Sequence, residues 1–195
     1  MRNAALTLGL AAVLISASAC TKNDASNQSG QTPAATKAAG GKTIAAGLAA
    51  DSKFMAAAKA AGIDKTLTGP GPYTVFVPDD AAFARLPAGS LDNTTDPTQR
   101  AKATSIVTYH MVSGTILAAD IGKAIDSAKD HKLPMITVGG PIFTATKDGD
   151  TIVLTDSAGN AAHITKADDQ YSNGVVHHID AVLTPPQPKG APASK

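Results

Sequence analysis

Two apolar, β-branched runs frame this chain and constrain its fold more than any other feature. The first is Tyr73-Thr-Val-Phe-Val-Pro-Asp-Asp-Ala-Ala-Phe83, and the second is Asn173-Gly-Val-Val-His-His-Ile-Asp-Ala-Val-Leu183. Each has a breaker beside it, so each reads as a buried strand. Pro78 ends the ladder of the first strand, and Asp79 is placed to cap a short helix carrying Phe83 and Leu86.

Between and before these strands the signals are mostly helical. Thr43 can cap a first helix running to Ala50, and Ser52 a second that stops before Gly62. Phe54, Ala58 and Ala61 share one face of that second helix. Ile63 to Leu67 adds a further turn before Gly69-Pro-Gly-Pro72 stops it. Asp96-Pro97 is a strong helix start, with Gln99 completing a capping box. From there Ala103, Ile106, Val107 and His110 follow helical spacing until Gly114, and Thr115 to Leu117 is expected to begin β structure. Pro141–Lys147 and Thr151–Thr155 read as a hairpin turning at Asp148-Gly149, followed by a turn over 156–160 and a strand over 161–166. No internal repeat is visible, so one domain is expected from residue 42 to residue 185.

The ends read differently. Arg2, the apolar stretch from Ala4 to Ile15 and the small residues before Cys20 form an export signal over residues 1–19. That stretch is too short to span a bilayer. Cys20 is the single cysteine, which excludes an intramolecular disulfide. Its place after Ala17-Ser18-Ala19 resembles a bacterial lipobox, with Ala17 where leucine is preferred, and lipidation of Cys20 would tie the chain to a membrane. The same three residues satisfy the A-x-A rule of soluble secretion, so both readings stand. In a lipoprotein, Thr21 in place of aspartate favours the outer membrane. Residues 20–41 are polar and small, expected to form a flexible tether with a reach of about 25 Å. Residues 186–195 form a Pro-rich tail.

Three segments, in order, resemble the signatures of the fasciclin domain family: Thr74 to Phe83, the central Thr108-Tyr-His-Met-Val-Ser-Gly114, and Asn173 to Leu183. Asp79, Met111, Ser113 and His178 depart from the family's usual residues. The resemblance implies an α+β wedge of two short β-sheets packed at a steep angle, with several helices along one side. It implies a non-catalytic interaction module acting in adhesion, with matrix or envelope polysaccharide or protein as partner. Alternatively it implies a carrier of an apolar small molecule, for which Met55, Met111 and Met135 could line a groove. Animal members engage integrins through segments comparable to Tyr109-His110 and Asp120-Ile121 of this chain. Physically, Tyr109 and His110 read as anchors that hold a helix against the sheet.

The remaining chemistry is sparse. Lys+Arg and Asp+Glu number 17 and 16, which disfavours nucleic acid as a partner. His177 and His178 point to opposite faces of a strand, one inward and one outward, and His131 and His163 lack partners at ligand spacing. Asp148-Gly-Asp150 suits a hairpin turn better than a calcium loop, and Asp168-Asp169 reads as a solvated turn. No nucleophile elbow, P-loop or dinucleotide fingerprint is present, so neither an enzyme nor a bound cofactor or metal is expected.

Overall fold

The computed structural model describes residues 41–50, 52–86 and 97–186. The signal, Cys20, the tether, the cap residue Asp96 and the end of the tail lie outside the described residues. Helices α1 (Ile44–Gly47), α2 (Lys53–Ala61) and α3 (Asp64–Thr68) lead into strand β1 (Tyr73–Pro78). Helices α4 (Asp80–Ala84) and α5 (Pro97–Tyr109) precede β2 (Met111–Ser113), and α6 (Ala118–Ser127) precedes β3 (Leu133–Ile136). The chain closes with β4 (Ile142–Asp148), β5 (Thr151–Thr155), β6 (Ala161–Tyr171) and β7 (Gly174–Ile179).

The strands lie in the order β2-β1-β7-β6-β5-β4-β3. The two framing runs are neighbours: β1 and β7 pair in parallel from Tyr73 opposite Gly174 to Pro78 opposite Ile179. Every other pairing is antiparallel. The two short sheets are halves of one surface, because β6 belongs to both. Its first residues pair with β5, and its remainder, after register shifts between Ile164 and Asp169, pairs with β7. Such bulges bend a strand. The free edges then approach each other, the Val138 amide donating to the Met111 carbonyl at 2.7 Å.

Alternation along β1 explains its unbroken apolar run. Val75 and Val77 face a core made with α1 to α5, while Phe76 faces a second core with Tyr109, Phe143, Leu154 and Ile179. Helix α6 stands apart from the other helices. Its Ile121 and Ile125 cover the second core, over β3, β4 and β5.

Several local expectations hold. Thr43, Ser52 and Asp79 cap their helices through the amides of Ala46, Met55 and Ala82. Gly62 ends α2 in the left-handed conformation, φ 72°. Others need correction. Helix α1 stops at Gly47 rather than Ala50: the backbone turns extended at Leu48, ψ 145°, and Gly47 lies against Tyr171, where a Cβ would overlap the ring. Thr115 to Leu117 is not a strand: the Ile116 amide donates to Thr74 Oγ1 and its carbonyl accepts from His177, so side chains replace a ladder. Asp168-Asp169 is no solvated turn but lies inside β6, with Asp168 at φ 64°. That twist aims the Asp168 carboxylate at the Ala118 amide, 2.9 Å away, and so caps α6 from fifty residues along the chain.

Candidate functional site

The central signature segment sits where α5 ends. Tyr109 is fully buried, its hydroxyl donating to the Ile142 carbonyl at 3.0 Å and its ring edge-on to Phe143. Burial, helped by the charge of Asp156, raises the pKa of this phenol. His110 is also fully buried. Its Nδ1 donates to the Ile106 carbonyl at 2.7 Å, leaving Nε2 to accept the Leu183 amide at 3.0 Å. The two partners therefore fix one neutral tautomer. Burial pushes the pKa of this imidazole down to about 4, against opposing pulls from the Ile106 carbonyl and Asp156.

Asp156, nearly closed off from solvent, holds the next residue of the same strap. Its carboxylate accepts the Ala158 and Asn160 amides, the Asn160 side chain and the Thr184 amide, all at 2.9 Å. A buried histidine and a buried aspartate thus grip consecutive amides, Leu183 and Thr184, and pin the chain after β7. Asp156→Asn removes acceptor capacity where four donors converge. It is expected to lower stability by about 2 kcal/mol, read as a reduced urea midpoint with an unchanged slope.

Of the adhesion residues that the resemblance nominated, Tyr109, His110 and Ile121 are closed to solvent, which for Tyr109 and His110 fits the reading as anchors. Asp120 alone is exposed, in the first turn of α6. The methionines do not line one groove. Met55 and Met111 fill the helical core, Met135 belongs to the other, and all three are buried. They are plain packing residues.

Three of the remaining histidines, His163, His177 and His178, acquire partners that sequence spacing hides. Buried His177 donates from Nε2 to the Ile116 carbonyl and accepts the Asp168 amide at Nδ1, and burial lowers its pKa. His178, on the opposite face and half-buried, meets Asp169 at 3.1 Å, and Lys166 meets the same carboxylate at 2.7 Å. Burial works against ionising Asp169, yet these contacts leave its pKa below the usual range. His163 pairs with Asp180 at 2.9 Å. Among the described residues no three His, Cys, Asp or Glu side chains are grouped to hold a metal ion. An open depression of about 320 Å³ lies beside the strap, between Ala82, Arg85, Leu86, Asn160 and Val182. Among the described residues no helix is long and apolar enough to cross a membrane.

Comparison with known proteins agrees with this architecture. Protein sll1483 of Synechocystis sp. is 37% identical over 131 residues, which are 67% of this chain and 64% of that protein. Immunogenic protein MPB70 of Mycobacterium bovis is 32% identical over 116 residues, 60% of this chain and 51% of the relative. The chain thus spans between half and two thirds of the length of these relatives. Among solved structures, the FAS1 domain pair of the insect cell adhesion molecule Fasciclin I shares the fold. Its TM-score is 0.59 at 16% identity, over 74% of this chain and 51% of the other. A model of the fasciclin domain matches residues 50–185, from just before α2 to the end of the pinned strap, and the chain belongs to the fasciclin domain family.

Proposed function

We propose that this protein is a non-catalytic interaction module of the cell envelope. Lipidated Cys20 and a polar tether over residues 20–41 hold a fasciclin domain of residues 42–185 at a surface, where it adheres to matrix or envelope polysaccharide or protein. The observation that carries this reading is how the titratable side chains are used. His110, His177 and Asp156 are taken up in holding backbone amides and carbonyls, which leaves the outer surface as the working part. The family is one of adhesion-type domains, and the solved structure of like fold belongs to a cell adhesion molecule. A carrier role for an apolar molecule has less support, because the methionines proposed for it are core.

Anchoring and adhesion are tested separately. Mass spectrometry of the mature chain is expected to find diacylglycerol on residue 20, and Cys20→Ser is expected to move the protein from the membrane fraction to the soluble one. A mature chain whose free thiol remains unmodified would end the anchoring part. Immobilised domain is expected to retain envelope polysaccharide or protein, and a deletion strain to attach to surfaces less. Full attachment without the protein counts against adhesion.

A further inference from the structure

The large apolar side chains exposed among the described residues are three, and all sit on one hairpin. Ile136 is 67% exposed, Ile142 48% and Val138 43%. Ile136 and Ile142 are direct cross-strand partners at the mouth of the β3–β4 turn, on the face opposite the buried pair Met135 and Phe143. Scattered exposed aliphatics are ordinary, whereas a cluster marks a contact surface. From Leu133 to Thr146 the chain carries no charged residue, with Lys132 and Lys147 at its far ends.

The amides of this tip are satisfied within the domain, two of them by the neighbouring β2 and α5. Every amide of the turn has an internal acceptor: Thr137 to the Pro141 carbonyl, Val138 to Met111, Gly139 to Thr108, and Gly140 to Thr137. Pro141 has no amide hydrogen, and the Thr137 hydroxyl also donates to the Pro141 carbonyl. The turn offers a partner no free amide and no charge; it exposes aliphatic side chains and the backbone of two glycines. A specific protein interface adds a polar rim of hydrogen bonds to its apolar centre. A stable pair of subunits needs about 800 Å² from each partner, far more than three part-exposed aliphatic side chains provide. A lipid surface makes the opposite demand, accepting apolar side chains without directional bonds and penalising any unsatisfied amide.

We propose that the tip of the β3–β4 hairpin, Ile136 to Ile142, is a lipid-contacting surface that seats in the interfacial region of a bilayer. The contact does not depend on Cys20. Lipid chains bind such proteins stably only when a second signal joins the first, and the hairpin supplies one that orients the domain on its membrane.

The test uses the exported chain from residue 20 carrying Cys20→Ser, with vesicles of phosphatidylcholine alone and with added phosphatidylglycerol. Binding to both is expected, little affected by salt, because the tip is uncharged. Ile136→Ser and Val138→Ser are each expected to lower the partition coefficient about tenfold while leaving the thermal midpoint in place. The native chain has no Trp, so Val138→Trp is a single reporter whose emission should shift to the blue when vesicles are added. Three results would overturn the proposal. These are failure to bind either vesicle, salt-sensitive binding that survives both serine substitutions, or a dimer without lipid that those substitutions dissociate.

Discussion

Replacing Asn173 by alanine is expected to cost the domain about 3 to 5 kcal/mol, enough to leave it close to unfolded at 37 °C if its stability is ordinary. The side chain is buried and makes three long-range bonds. Its oxygen accepts the Ile44 amide at 2.8 Å, and its nitrogen donates to the Leu67 and Gly69 carbonyls at 2.9 Å each. Its own carbonyl accepts the Tyr73 amide. One residue therefore ties the start of α1, the end of α3 and the start of β1 to the β6–β7 turn. Truncation strands one donor and two acceptors where water has little access, and leaving a buried polar group unpaired costs more than the bond itself contributed. Asn173→Asp separates the roles. It keeps an acceptor for Ile44 but loses both donors and sets a carboxylate against two carbonyl oxygens, so it should be no milder than alanine. Urea unfolding at neutral pH measures both, and a loss under about 1 kcal/mol for alanine would show that water or local shift replaces the bonds.

Acidification is expected to weaken the domain through His110, in a window that its surroundings define. The folded state holds this imidazole neutral to about pH 4, whereas the unfolded chain takes up a proton near 6.5. Above 6.5 neither state is protonated and the contribution is complete. Between 6.5 and about 4 only the unfolded state binds the proton, so stability falls as pH falls. The gap corresponds to a loss of about 3 kcal/mol, levelling off below pH 4. Buried His177 shifts in the same direction and adds to the slope. Asp169 and Asp180, whose pKa values are lowered, contribute only at more acid pH, where the unfolded carboxyls begin to protonate. Burial is the main cause, and a protonated Nε2 would also place one N–H against the Leu183 amide and release the strap. His110→Gln should lower stability at pH 7 yet flatten the slope between pH 6.5 and 4. A ring that titrates near 6.5 by NMR in the folded protein would contradict this account.

Much of the fold was legible because its signals are local. Ser52 and Asp79 bond to amides three residues ahead, and Gly62 must reach a positive φ where α2 ends, so caps and stops can be read from neighbours. The elements that escaped are those whose partners are remote. Helix α6 receives its capping bond from Asp168 on another strand, and β6 runs past its expected end because β7 pairs with a bulged stretch. Asp168-Asp169 looks like a turn in sequence, and only pairing with β7 makes it a bend within a strand. Around the candidate site, the place of His110 on an apolar helix face followed from helical spacing, and Tyr109 read as an anchor beside it. Their second partners, Ile142 and Leu183, lie 33 and 73 residues away and could not be read.

By itself the sequence determined that β1 and β7 would be buried strands, where α2 and α4 are capped, and the family to which the chain belongs. These follow from side-chain chemistry over a few residues. Only the tertiary structure decided that the two framing strands are parallel neighbours and that the two sheets are one, bent through β6. It also decided that a histidine and an aspartate grip the closing strap, and that Ile136, Val138 and Ile142 face outward together. The reason is physical: an apolar residue announces that it can be buried, but whether it is depends on what the rest of the chain brings to cover it.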